Sequence, residues 1–320
     1  MRTAAQWVHA YLADLPRIGA PKQRIQDMRP RRLKAAFLDF ERHRETTVTR
    51  NTQGVDRTMQ LHALEFFGDC RVDDVPSRLQ PFFDELARKG YLASTVNCYA
   101  KPLFAFLRWA KVEWDHVTLP AVPEQEARYW TDDELVRIRE SADYVGPEAR
   151  LAIEAALGTG ARQQELFALE WVRLHEATRT LRIVEQLDRD TTARIPLKGK
   201  RARTALVLPA FWAYVDAAVP GWRRHIGLIL PGAGGRALYA RPQLLLLNRV
   251  LDAARIKEKG MGWHTARHTY ARLLLESGGS IEQLRVFLGH KVITTTDRRY
   301  GHFSEQAAVR MARMRIFGTA

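Results

Sequence analysis

The chain has 320 residues, of which 46% are hydrophobic and 27% charged, and its net charge is +14. This composition excludes collagen-like, low-complexity and disulfide-rich chains, and no apolar run approaches the roughly 18 residues of a membrane span. With two cysteines, Cys70 and Cys98, and no apolar secretory segment at the N-terminus, we expect a cytoplasmic protein with no membrane partner.

The positive charge is spread over both halves of the chain. Residues 1–122 carry 19 basic and 14 acidic side chains, and the remainder carries 31 and 22. A cationic, solvated surface would account for this excess. So would a nucleic-acid partner, because several phosphate contacts at once require many lysine and arginine side chains.

The first part of the chain has the apolar periodicity of helices. Predicted helices cover 3–13, 30–45, 50–68, 76–89 and 94–110. In the last of them Ser94 is a natural N-cap, and Pro102 should kink or break the helix. These features predict an independent helical domain over residues 1–118, in which the role of residues 1–28 stays open.

A linker is predicted over 119–128, where Pro120 and Pro123 interrupt a stretch without periodicity. A second domain then covers 129–320 and opens with Thr131 as the N-cap of a helix with an acidic first turn. Ser280 and Gln283 form the pattern of a capping box. The helices predicted in this domain are 131–141, 147–157, 209–217, 241–254, 264–277, 280–289 and 304–317.

Residues 179–208 change to the alternation of strands. The segments TLRIV, ARIPL and TALVL are predicted strands, the last two joined in a hairpin by KGKRAR. The predicted fold class is therefore mainly α with a small antiparallel β-sheet.

Two pairs of charged side chains on predicted helices could bind an anion. Arg162 and Glu165 lie three residues apart after a Gly-Thr-Gly turn, a spacing that places both beside the N-terminal amides of a helix. For this pair taken alone, a surface ion pair is the favoured explanation. His264 and Arg267 have the same spacing, which suits phosphate chemistry because arginine binds two oxygens while histidine transfers a proton.

A zinc site is the competing interpretation of the histidines. His264 and His268 have the spacing of a helical zinc pair, but Thr265 stands where His-Glu-x-x-His metalloproteases have glutamate. Other candidate groups lie in the predicted turns and loops. Lys198 and Lys200 crowd the predicted hairpin turn, His290 follows a helix end at Gly289, and Tyr300 lies in a polar stretch between arginines and a glycine. Each of these alone would be unremarkable.

The order of these groups along the chain is specific. An arginine with glutamate at the third position, a hairpin lysine, His-x-x-Arg, Gly-His and a tyrosine in succession resemble the tyrosine recombinase (phage integrase) family. The resemblance covers nearly the whole chain. It implies a two-domain DNA clamp, with a helical core-binding (SAM-like) domain followed by an α+β catalytic domain.

The resemblance also implies residue roles. The positions similar to the family's catalytic set are Arg162, Lys198, His264, Arg267, His290 and Tyr300. Glu165 matches an acidic residue that supports the first arginine, and Lys198 is preferred to Lys200 because KGKRARTALVLP aligns best with its first lysine in the family's position. His268 matches a position that we expect to be structural.

The implied activity is site-specific DNA recombination through a 3′-phosphotyrosyl intermediate, without cofactor or metal. The implied partners are double-stranded DNA and further copies of the chain, four on two duplexes, coupled by the C-terminal segment. Accessory DNA-bending proteins stay an open question. Two alternatives remain at this point: relaxation of DNA by a type IB topoisomerase, and DNA binding without catalysis.

Overall fold

A computed structural model describes residues 32–123, 127–197, 199, 201–256, 258, 260–289 and 300. The chain divides into two compact units, Met1–Glu124 and Gln125–Ala320. Each unit has its own apolar core. Residues 1–28 and the predicted helices at 3–13 and 304–317 lie outside the described residues.

The first unit is built from helices throughout its described part. They are α1 (Leu33–Glu45), α2 (Arg50–Phe67), α3 (Leu79–Arg88) and α4 (Ala93–Ala110), with 3-10 turns at Val72–Asp74 and Pro76–Arg78. Aromatic rings fill the core between α1 and α4. The ring centroid of Phe106 lies 4.5 Å from that of Phe37 and 5.5 Å from that of Phe40. These rings join the first helix of the described unit to the last.

Helix α4 differs from its prediction in two respects. It begins at Ala93 with Leu92 as N-cap and no capping side chain, so Ser94 is not the cap. It also continues through Pro102 to Ala110 without a break. The buried stripe that includes Val96 and Phe106 holds the helix against the core. This packing outweighs the loss of one backbone hydrogen bond at proline.

The second unit surrounds one buried helix. Its helices are α5 (Asp132–Val145), α6 (Pro147–Thr159), α7 (Gln163–Leu166), α8 (Pro209–Ala218), α9 (Ala240–Ala253), α10 (Trp263–Glu276) and α11 (Ile281–Leu288). Every residue of α6 from Leu151 to Thr159 is buried, and α5, α8 and α10 all pack against it. Both predicted helix starts are confirmed, since Thr131 with Glu134 and Ser280 with Gln283 form capping boxes.

The strands of this unit form a three-stranded and a two-stranded antiparallel sheet. They are β1 (Leu174–His175), β2 (Thr180–Ile183), β3 (Glu185–Leu187), β4 (Arg194–Pro196) and β5 (Arg203–Leu206), paired in the orders β1-β2-β5 and β3-β4. The predicted hairpin between the last two strands is wrong, because β4 pairs with β3 and β5 with β2. The ribbon formed by β3 and β4 turns instead at Asp188. Its carboxylate accepts hydrogen bonds from the backbone N–H groups of Asp190 and Thr191.

The predicted fold class, mainly α with small antiparallel sheets, is confirmed. Within the described ranges, none of the helices combines the length and the apolar character needed to cross a bilayer.

Candidate active site

The site begins where α6 ends. Gly160 follows Thr159 with a left-handed φ of 59°, and a Cβ at this position would lie 2.4 Å from Cδ1 of Tyr270. Only glycine satisfies both conditions. The predicted Gly-Thr-Gly turn is therefore reduced to Gly160, because Gly158 and Thr159 belong to the helix. Arg162 is the N-cap of the four-residue helix α7 and does not lie inside a longer helix as predicted.

A buried carboxylate, Glu165, lies at the centre of the site. It accepts a hydrogen bond of 2.8 Å from the backbone N–H of Arg162 and one of 2.9 Å from Nη1 of the same residue. From the other side, Nη1 and Nη2 of Arg203 donate to its two oxygens at 3.0 and 2.5 Å. Nη1 of Arg267 lies 4.0 Å away. Three guanidinium groups therefore converge on one carboxylate, and the cluster suits an anion.

The charges around Glu165 keep it ionised. Burial raises its pKa, but the hydrogen bonds and charge of Arg203, followed by the charge of Arg162, outweigh this and lower the pKa to about 2. The carboxylate is therefore a permanent negative charge near neutral pH. The side chain of Arg162 is 33% exposed, whereas that of Glu165 is 2% exposed. Of the two, Arg162 is the one that a ligand can reach.

Arg267 is fixed by the ends of two helices. Its Nη1 donates to the carbonyl of Gly160 at 2.8 Å and its Nη2 to that of Leu288 at 2.7 Å. Gly160 caps α6 and Leu288 ends α11, so the guanidinium lies at the negative ends of two helix dipoles. Burial, then the charge of Arg162, lowers the pKa of Arg267 to about 9, and the side chain stays protonated at neutral pH.

Tyr300, the predicted nucleophile, contacts His268, the residue that follows Arg267 on α10. Nδ1 of His268 lies 2.5 Å from the hydroxyl of Tyr300, and the two ring centroids are 5.7 Å apart. Tyr300 is 1% exposed and belongs to an apolar cluster that includes Leu284 and Leu288. The resemblance predicts a structural role for His268. His264, expected to be catalytic, is exposed one turn earlier on the same helix.

The structure thus brings Arg162, Glu165 and Arg267 into one cluster and places His268 beside Tyr300. Lys198, Lys200 and His290 lie outside the described residues. Arg203 is not among the predicted site residues, because it belongs to the run of charges in the predicted turn. The alternation of β5 contains the missing signal, because it places Arg203 on the same face as the buried Ala205.

The zinc interpretation finds no ligand set in the described part of the chain, where no group of three or more His, Cys, Asp or Glu side chains could hold a metal ion. Nδ1 of His268 instead contacts a phenol hydroxyl.

Comparison with curated proteins finds relatives that are named tyrosine recombinases. The tyrosine recombinase XerC-like protein of Caldanaerobacter subterraneus subsp. tengcongensis is 23% identical over 265 residues, which are 70% of this chain and 66% of the relative. The tyrosine recombinase XerC of Xanthomonas axonopodis pv. citri is 28% identical over 194 residues, 58% of each chain. The chain thus spans less than two thirds of the length of either relative.

The fold has counterparts among solved structures. The Tn1549 transposon integrase, in complex with a circular intermediate DNA, superposes with a TM-score of 0.72 at 19% identity, over 88% of this chain and 99% of that one. The model of the phage integrase family matches residues 128–307, more than half of the chain. The protein therefore belongs to the phage integrase family of tyrosine recombinases.

Proposed function

We propose that the protein is a site-specific DNA recombinase that cleaves and rejoins strands through a 3′-phosphotyrosyl intermediate. One observation carries the proposal: the Tyr300 hydroxyl contacts the histidine that directly follows Arg267. Two consecutive residues of α10 thus connect the two parts of the site. Arg267 belongs to the guanidinium cluster that would bind a phosphate, and His268 contacts the proposed nucleophile. The net charge of +14 favours a polyanionic substrate.

Cleavage is a transfer of the phosphodiester to tyrosine. The oxygen of Tyr300 attacks phosphorus, the bond from phosphorus to the 5′-oxygen breaks, and the DNA keeps a 3′-phosphotyrosyl link. Arg162 and Arg267 stabilise the negative charge on the non-bridging oxygens in the transition state. The attack of a 5′-hydroxyl on the same link reverses the step and frees the tyrosine.

Two protons move during cleavage. The contact of 2.5 Å favours His268 over His264 as the acceptor of the Tyr300 proton. Lys198 donates a proton to the departing 5′-oxygen, and His264 and His290 donate hydrogen bonds to the phosphate. With 1% of its surface exposed, the ring of Tyr300 has to move before its oxygen can meet a phosphate.

The two units have different roles on DNA, one in binding and one in catalysis. Residues 1–118 form the core-binding domain, 119–128 the linker and 129–320 the catalytic domain. Four copies assemble on two duplexes in the cytoplasm, where accessory DNA-bending proteins are a further partner class to test.

Covalent capture tests the proposal. The full chain and its Tyr300→Phe variant are incubated with sheared genomic DNA of the host, the mixture is stopped with detergent, and the protein-linked fragments are sequenced. Tyr270→Phe is the matched control, because Tyr270 is also buried in the apolar cluster and its hydroxyl donates to a carbonyl, that of Leu206.

We expect adducts at one or a few sites for the wild type and for Tyr270→Phe, and none for Tyr300→Phe. Scattered adducts with relaxation of a supercoiled plasmid would point to a topoisomerase. DNA binding without any adduct would identify a non-catalytic relative, and adducts that persist in Tyr300→Phe would refute the assignment of the nucleophile.

A further inference from the structure

Arg203 is a buried arginine that the proposed chemistry does not use. It is the first residue of β5, and its side chain is 7% exposed. The Nη atoms and the Nε atom of its guanidinium make different contacts. Nη1 and Nη2 bind Glu165, while Nε donates to the backbone carbonyl of Phe287 at 2.8 Å. Arg203 therefore connects three segments that are distant in sequence: a strand, the short helix α7 and the end of α11.

The contact with Glu165 determines how Arg162 is held. The carboxylate accepts two parallel hydrogen bonds from Nη1 and Nη2 of Arg203. On the other side it accepts hydrogen bonds from the backbone N–H and from Nη1 of Arg162. A carboxylate held by a planar two-donor group has a defined orientation, which a single ion pair does not impose. Without Arg203, Glu165 could turn about its own side-chain bonds, and Arg162 would turn with it.

The other contacts of Arg203 are at the end of α11. Phe287, which accepts from Nε, comes two residues before Gly289. Gly289 has a left-handed φ of 67°, and a Cβ there would lie 2.8 Å from Cδ of Arg203. The arginine thus packs directly against the turn that leads into His290. Between Phe287 and Gly289 lies Leu288, whose carbonyl accepts a hydrogen bond from Arg267.

We propose that Arg203 is a positioning residue of the phosphate site, acting on Arg162 through Glu165 and on the turn before His290 through the end of α11. This inference rests on the proposed recombinase function. Arg203 does not touch the DNA in this scheme; it fixes the groups that do. Lysine cannot replace it, since an ammonium is a point charge and cannot form the planar contact with both carboxylate oxygens while it donates to Phe287.

A double-mutant cycle tests the route through Glu165. Full-length Arg203→Met, Glu165→Gln and the double variant are compared with the wild type for the rate of adduct formation on the DNA fragment that the wild type captures. Arg203→Lys keeps the positive charge but removes the planar two-donor contact with Glu165. Arg182→Met is the control, because Arg182 is an exposed arginine on β2, the strand that pairs with β5. Melting curves and DNA retention measure folding and binding for each.

We expect Arg203→Met to slow adduct formation by up to about 100-fold, as a misplaced reacting group does, with DNA binding little changed. Arg203→Lys should also be slow, and Arg182→Met should match the wild type. The double variant should be no slower than the slower single variant, because both changes remove one arrangement. Losses that multiply in the double variant, or a wild-type rate in Arg203→Met, would overturn the proposal.

A second measurement does not depend on activity. The charged groups facing Glu165 are Arg162, Arg203 and Arg267. In the full chain labelled with ¹³C at the glutamate carboxyl, the Glu165 signal, assigned with Glu165→Gln, should stay flat from pH 7 to pH 4 in the wild type. It should titrate within that range in Arg203→Met and Arg203→Lys.

The two measurements separate the two hypotheses. If the wild type forms no adduct on any DNA, the recombinase proposal fails and the titration still decides whether Arg203 holds the carboxylate. An unchanged titration in both Arg203 variants would refute the positioning role, whatever the activity. Arg203→Lys keeps the test available if Arg203→Met does not fold.

Discussion

His268 and Tyr300 are joined by a contact of 2.5 Å between Nδ1 and the phenol oxygen, although they are 32 residues apart in sequence. His268 follows Arg267 on α10, and consecutive residues of a helix point about 100° apart. One helix therefore directs a guanidinium toward the ends of α6 and α11 and an imidazole toward the tyrosine.

The first prediction concerns the acceptor of the tyrosine proton. In His268→Asn an amide can take the place of Nδ1 and keep a hydrogen bond to Tyr300, but it cannot accept a proton. We expect adduct formation to slow by about 100-fold or more, within the range of general base catalysis. Single-turnover capture of adducts measures the rate.

His264→Asn is the comparison for this prediction. Its loss removes a proposed phosphate contact and leaves the proposed proton acceptor in place, so the rate should fall less than in His268→Asn. If His264→Asn slows adduct formation more than His268→Asn does, the assignments of the two histidines are reversed.

The second prediction concerns stability in acid. The pKa of Glu165 in the folded chain is about 2, below its ordinary value of 4.5. The ionised group therefore stabilises the fold above about pH 4.5, and this stabilisation is lost as the pH falls toward 2. At neutral pH it contributes about 3 kcal/mol, from the size of the pKa difference.

Denaturant unfolding of the wild type and Glu165→Gln at several pH values measures this contribution. The difference in free energy of unfolding should be largest above pH 5 and shrink below it. Glu258→Gln is the control, because Glu258 pairs with Arg128 at the surface with 57% of its side chain exposed. A difference between the wild type and Glu165→Gln that is constant from pH 7 to pH 3 would contradict the prediction.

The third prediction concerns the turn before Arg162. Gly160→Ala should destabilise the protein by about 2–4 kcal/mol, about 1 for the left-handed backbone and the rest for the clash with the ring of Tyr270. Gly234→Ala is the matched control, since Gly234 has a φ of 65° with nothing within 4 Å of an added Cβ. It should cost only about 1 kcal/mol. Equal losses in denaturant unfolding would show that the contact with Tyr270 has no weight.

The fourth prediction concerns Arg267. Arg267→Lys keeps a positive charge but cannot span the carbonyls of Gly160 and Leu288, so it should lose about 1–3 kcal/mol of stability. It should also slow adduct formation by about 10²- to 10³-fold, the effect of losing one oxyanion donor.

Arg272→Lys separates the two effects, because Arg272 is a buried arginine of the same helix that pairs with Asp132 and Glu276. It should lower stability without slowing adduct formation by the folded protein. If Arg272→Lys slows adduct formation as much as Arg267→Lys does, the loss reflects the helix and not the proposed phosphate site.

Local signals predicted much of this molecule. Side-chain caps such as Thr131 and Ser280 are determined by residues three apart, and both helix starts follow from them. Motif spacing likewise placed Glu165 beside Arg162, because the pair lies within one turn of a helix.

Features that depend on distant partners were missed. The register of the ribbon is set by the turn at Asp188, and the run of lysines and arginines at 198–203 gave a competing turn signal. Arg203 is buried because Glu165 and Phe287 meet it, 38 and 84 residues away in sequence. The partner of Tyr300 could not be read from spacing, since it depends on how α10 is turned in the fold.

Because Tyr300 is buried, chemical modification of its ring would show when it becomes exposed to solvent. Phenol-directed nitration modifies tyrosines in proportion to their contact with solvent, so Tyr144, at 87% exposure, should react at once, whereas Tyr300, at 1%, should be protected. Nitration that reaches Tyr300 only after DNA is added would show that DNA binding exposes the proposed nucleophile, independently of any cut in the strand.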